Sequence, residues 1–229
     1  MEIKVVPAPH RYAICAWEDM SIKEFYRGVF DEVFIFFHPF IKPVTIEYEL
    51  FEPDTYPSKS QIIQHCEGVT WEEFIDLSGI TSIRQLDIGL RTSILGLGEK
   101  FADESAAKII WDVCEWNQLI PPCKGHFPEL LINKILHSVQ GIGHDWIWGG
   151  DEFCTERKLE LINDLIDEDE IAYRNLFTHD QQLLLTTHWD SHFSLLCSDK
   201  KTIAHIVNEC SLEGFYCNEE TQIYWSVWN

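Results

Sequence analysis

The sequence is short of positive charge. Thirty-eight Asp and Glu stand against seventeen Lys and Arg, a formal net charge of −21 with His neutral. The excess is shared about evenly between the two halves of the chain, so no acidic tail accounts for it. A field of this sign repels nucleic acid and anionic membrane surfaces and favours encounter with basic proteins. Long apolar runs are also missing: none approaches the ~18–20 residues needed to span a bilayer. The opening MEIKVVPAPHRYAICAWED has neither the basic start nor the sustained apolar segment of a signal peptide. The eight cysteines (15, 66, 114, 123, 154, 197, 210 and 217) form no CxxC pair. The expected location is therefore a reducing cytoplasm, with the thiols packed as small hydrophobes.

Several catalytic signatures are absent. There is no G-x-S-x-G elbow for a serine nucleophile. The acidic run 167–170 lacks the glycine and spaced glutamate of a calcium loop. The glycines of 141–152 are not followed by Lys-Ser/Thr, and the acids among them repel phosphate, which argues against a nucleotide site. No internal repeat or low-complexity linker divides the chain.

What is present is core material: 45% apolar residues, with nine Trp and fourteen Phe, in 229 residues. The pattern predicts one α+β domain over 1–229, with a mixed or antiparallel sheet from N- and C-terminal strands and a central helical layer. Residues 1–56 read as strand-rich, with strands at 3–6, 12–17, 33–38 and 44–51 and a short helix capped by Ser21. Residues 57–177 read as helical. Thr70-Trp-Glu-Glu73 has capping-box spacing and Gly79 is a helix stop. Further helices are expected at 99–117, 129–140 and 156–166, with another turn or two at 171–177. Residues 178–229 read as ββαβ: strands at 183–187 and 193–197, a helix at 200–209, and a last strand at 223–228.

The densest chemistry is T-H-W-D-S-H-F, residues 187–193. An unbroken strand would put His188, Asp190 and His192 on one face, a ligand set for zinc or iron. Asp190-Ser191 is also turn chemistry, and a two-residue turn there sets Trp189 opposite His192 and His188 opposite Phe193. The second unusual stretch is G-I-G-H-D-W-I-W-G-G-D-E, residues 141–152. It reads as an irregular loop, either filling the core or presenting Trp146 and Trp148, with Asp151 and Glu152, to a partner. Cys197, at a strand end near the His-rich turn, is the thiol to test for a Cys–His pairing.

T-H-W-D-S-H-F, followed by L-E-G-F-Y-C at 212–217 and a terminal Tyr-Trp, resembles an uncharacterised bacterial protein family, a domain of unknown function found in Bacillus relatives. The resemblance is best over 180–228 and weaker around P-S-K and T-W-E-E-F, near 57–74. It implies a bacterial cytosolic origin and no activity. The residues themselves favour an acidic cytosolic binding protein without a cofactor, in its sharpest form an immunity or inhibitor protein for a basic partner such as a nuclease toxin. The alternative is a metal-dependent hydrolase or oxygenase using zinc or iron on His188, Asp190 and His192.

Overall fold

A computed structural model describes residues 10–227. In chain order the elements are a 3-10 turn (Arg11–Ala13), α1 (Ile22–Phe25), β1 (Glu32–Phe37), β2 (Phe40–Pro43), a second 3-10 turn (Tyr48–Leu50), α2 (Lys59–His65), β3 (Cys66–Val69), α3 (Trp71–Ser78), α4 (Ile83–Ser93), α5 (Glu104–Asn117), α6 (Glu129–Gly141), β4 (Trp146–Gly150), β5 (Arg157–Leu161), α7 (Ile162–Asp167), β6 (Asn175–Thr178), β7 (Leu184–Thr187), β8 (Phe193–Ser198), α8 (Lys200–Cys210) and β9 (Gly214–Tyr216). This is the expected α+β mixture. Among the described residues no helix is long and apolar enough to cross a membrane.

Seven strands form one antiparallel sheet in the order β5-β4-β6-β7-β8-β1-β9, and β2 and β3 form a small second sheet. The N-terminal β1 does share a sheet with the C-terminal strands, pairing with β8 and β9. The sequence E-V-F-I-F-F of β1 shows how both faces are buried. Val33, Ile35 and Phe37 enter one core with residues of α3, α4 and α5, while Phe34 and Phe36 enter the other with α6, α7 and α8. Period two is thus satisfied by two apolar faces rather than by one apolar and one polar. The capping box at Thr70–Glu73 forms as predicted and Gly79 ends α3 in the left-handed region. The Glu213 carboxylate accepts hydrogen bonds from the Trp71 and Glu72 amides at 2.7 and 2.8 Å, tying the residue before β9 to the start of α3.

Several predicted elements differ. The strand at 3–6 lies outside the described residues. Residues 12–17 begin as a 3-10 turn and make no ladder; Tyr12 packs against Phe177 instead. The alternating 44–51 run is largely exposed, has no neighbouring strand among the described residues, and closes a 3-10 turn. The helix at 156–166 splits into edge strand β5 and the short α7, and 171–177 leads into β6, whose residues are all buried. No separate helix was expected for α4. At the C-terminus the last strand is β9, while Ile223–Val227 is a succession of turns, with Trp228 outside the described residues.

The largest departure is 141–152. Its second half is strand β4, held between β5 and β6, and not an irregular loop. The two glycines inside β4 serve packing: a Cβ on Gly149 would stand 2.4 Å from the Tyr173 ring, whose hydroxyl donates to Glu160 at 2.5 Å across the neighbouring strand, and one on Gly150 would stand 3.0 Å from Cys154 Sγ. Gly149→Ala is expected to lower the unfolding free energy by about 1–3 kcal/mol, the usual cost of overpacking, measured by urea denaturation. An unchanged midpoint would contradict this packing role.

Candidate functional site

The T-H-W-D-S-H-F segment is a hairpin tip. Ladder pairs between β7 and β8 run from Leu184↔Cys197 to Thr187↔Ser194, the register of the predicted hairpin. The turn is closed by Ser191 N–H donating to His188 O at 3.0 Å, so it centres on Trp189-Asp190, one residue earlier than predicted. A second loop supports it: Gly125 N–H donates to Ser191 O at 3.0 Å, and Gly125 O accepts from Arg174 Nη1 at 2.7 Å. Gly125 has φ +65°, and a Cβ there would lie 2.4 Å from Trp189 O, so both conformation and contact require glycine.

The cation these groups surround is Arg91, from the last turn of α4, which is 0% exposed. Its Nε donates to Asp87 Oδ2 at 3.0 Å, Nη1 to Asp190 Oδ1 at 3.1 Å, and Nη2 to Ser191 Oγ and Ile223 O, each at 3.0 Å. The guanidinium carbon sits 4.6 Å from the Tyr224 ring centre and 5.4 Å from that of Phe193. Asp190 takes a further bond from the Tyr224 hydroxyl at 2.8 Å, and Ser226 Oγ meets Asp87 Oδ2 at 2.5 Å. Burial opposes ionisation of Asp190, but the bond from His188 and the charge of Arg91 outweigh it and hold the carboxyl below its ordinary range.

The network reaches the surface through His188. Its Nδ1 lies 2.5 Å from Asp190 Oδ1 and its Nε2 lies 2.8 Å from Glu18 Oε1. Both contacts are hydrogen bonds to ionised carboxylates only when both ring nitrogens carry protons. The chain of contacts therefore runs outward from Asp87 through Arg91, Asp190 and His188 to Glu18. His192 is buried, its Nδ1 has no hydrogen-bond partner among the described residues, and burial, with Arg91 nearby, lowers it to about 3. Among the described residues no group of three or more His, Cys, Asp and Glu is arranged to hold a metal ion.

Beside the turn lies a cleft of about 430 Å³, walled by Ile14–Asp19, Glu152, Phe153, His188 and Trp189. Trp17, Phe153 and Trp189 are 53%, 59% and 49% exposed there. Glu18, Asp19 and Glu152 supply three carboxylates, and among the described residues His188 supplies the only imidazole, with no Lys or Arg in the wall. Of the residues predicted to bind, Glu152 and His188 meet in this cleft. Asp151 caps Thr155, Trp148 packs on Phe177 and His179, and Trp146, 52% exposed, does not line it. Trp17, Glu18, Asp19, Phe153, Trp189 and Arg91 were not predicted. Glu18 and His188 are 170 residues apart in sequence, beyond any local signal.

The cysteines are all free. Cys197 is fully buried beside Tyr26, which places its thiol well above the ordinary range and in the core. Cys15, in the cleft wall, is raised to about 12 by burial. Cys123 Sγ lies 3.5 Å from His38 Nδ1, but that nitrogen is also 2.9 Å from Cys123 O. A carbonyl only accepts, so Nδ1 carries the proton and Nε2 takes the Ser194 hydroxyl at 2.8 Å, leaving His38 unable to deprotonate the thiol.

A family model described as protein of unknown function (DUF2711) matches residues 18–227. The chain belongs to the DUF2711 family. It is also similar to the uncharacterised protein YwbB of Bacillus subtilis (strain 168), at 22% identity over 177 residues, covering 74% of this chain and 77% of that protein. No solved structure matches the chain. The resemblance to an uncharacterised Bacillus-type family is thus borne out, and the DUF2711 match spans the whole network from Glu18 to Ser226.

Burial lowers His38 to about 4 and His192 to about 3, from 6.5. With folded values below unfolded ones, the unfolded chain binds the extra protons. Stability from each is complete above pH 6.5 and lost as pH falls toward those values. His192→Leu should reduce the fall in unfolding free energy between about pH 6 and pH 5 by about 1.4 kcal/mol per pH unit, by urea denaturation. An unchanged pH slope would show that His192 is not held neutral.

Proposed function

We propose that this DUF2711 member is a cytoplasmic binding protein whose partner is basic, and that the cleft between Trp17–Asp19, Glu152–Phe153 and Trp189 seats a cationic side chain of that partner. The observation that carries the reading is the composition of that wall: three exposed aromatic side chains around three carboxylates. Aromatic faces attract ammonium and guanidinium groups, and carboxylates pair with them. Tryptophan anchors concentrate binding energy in interfaces, while the overall charge of −21 speeds encounter with a positive partner.

An immunity or inhibitor protein for a basic nuclease toxin is the fullest form of this proposal, since such a protein covers with carboxylates a surface made for phosphates. The eight free cysteines support a reducing location.

The test is calorimetric titration with an arginine-rich peptide, against a glutamate-rich peptide of equal length. Only the basic peptide should bind, and more weakly as salt rises. Glu18→Gln with Glu152→Gln, and separately Trp189→Ala, should each weaken binding about tenfold or more. Asp112→Asn with Glu115→Gln on exposed α5 changes net charge equally and should have little effect. Equal weakening by both pairs would show a diffuse field and no seat in the cleft.

A further inference from the structure

A second cleft, of about 490 Å³, is lined by residues ahead of and within α2, by the start of α6 and by the segment after α7. Phe127, Ile132 and Ile171 give it an apolar wall, and Tyr56, His126, Glu129 and Lys59 give it polar atoms. Lys59 is 3% exposed, an unusual place for an ammonium. Its Nζ donates to Leu165 O at 2.9 Å and to Ile166 O at 3.0 Å, carbonyls in the last turn of α7. An ammonium has three hydrogens to place. A neutral amine has two and a lone pair, so two carbonyls satisfy it fully and leave one tetrahedral position of the nitrogen for a lone pair. Burial favours the neutral form and draws Lys59 below its ordinary value, against the opposing charges of Glu168, Asp169 and Asp167. Glu129, in the same cleft, is pushed the other way by burial and by Glu170, toward a protonated carboxyl.

We propose that Lys59 is a nucleophilic amine that condenses with a small aldehyde or ketone whose apolar body lies against Phe127, Ile132 and Ile171. The Lys59 lone pair attacks the carbonyl carbon, a C–N bond forms, and the π pair moves to oxygen, which takes up a proton as nitrogen releases one. The Glu129 carboxyl then protonates the hydroxyl, which departs as water while nitrogen closes the C=N bond. Glu129 recovers its proton as nitrogen gives up its second hydrogen. One amine and one carbonyl compound become one imine and one water, with no oxidant or reductant consumed. Lysines with lowered pKa values in apolar pockets are suited to this chemistry.

The experiment treats the full chain with butanal and cyanoborohydride at neutral pH, followed by digestion and peptide mass spectrometry. Reduction fixes the imine as a secondary amine carrying the mass of the aldehyde less one oxygen. Lys59 should label about tenfold or more faster than exposed Lys200 and Lys201, which have no apolar wall to hold the aldehyde beside the amine. Lys59→Arg keeps N–H donors for the two α7 carbonyls and removes the nucleophilic amine. With an unchanged thermal midpoint, it should abolish the fast-labelled site and leave the other lysines unaffected. Labelling of Lys59 no faster than Lys200 and Lys201 in the folded protein would overturn the proposal.

Discussion

One buried guanidinium organises this molecule. Arg91 is removed from water entirely, and the cost of desolvating its charge is offset by two carboxylates, two further acceptors and two aromatic faces. Those partners lie on α4 itself, on the turn between β7 and β8, and on the turns after β9. The bonds to Asp190 and Ile223 span 99 and 132 residues. An ion pair of this kind need not add net stability over an apolar core of the same shape. What it adds is specificity: the turn, the helix end and the C-terminal segment satisfy one another in a single arrangement. Asp87 Oδ1, buried without a partner among the described residues, marks how tightly that arrangement is drawn.

The cleft beside the turn takes its walls in part from this centre. Trp189 sits at the middle of the turn that Asp190 anchors and that Gly125 braces from the opposite side. His188 connects the inner ion pair to Glu18, so the same hydrogen-bonded chain that holds the hairpin tip also fixes one carboxylate of the cleft. The ion pair and the cleft are thus joined through Asp190 and its neighbours His188 and Trp189, both of which line the cleft.

How much of this was legible in the sequence follows from how local each feature is. The capping box of α3, the β7–β8 register and α8 were all readable, because turn residues and periodicity lie within a few positions of what they dictate. The segment holding His188, Asp190 and His192 was legible as dense chemistry, but Arg91, which binds Asp190 from α4, was not. Strand β4 was hidden because Gly149 and Gly150 carry turn chemistry by composition while serving close packing in a sheet. Strand β6 was hidden because a strand buried on both faces loses its alternation. Residues 44–51 failed for the opposite reason, alternating well with no strand beside them to complete a ladder. The cleft itself was illegible, being assembled from segments near 17, 152 and 189.

The most direct measurement is a double-mutant cycle between Arg91→Met and Asp190→Asn, read as unfolding free energy in urea. If the buried guanidinium organises the fold, Arg91→Met alone costs about 3–5 kcal/mol, because it strands carboxylates away from water. The pair then costs less than the sum of the singles, by more than about 1.5 kcal/mol. Single costs that add to within about 0.5 kcal/mol would show that the two side chains are neighbours without mutual dependence, and would contradict the account.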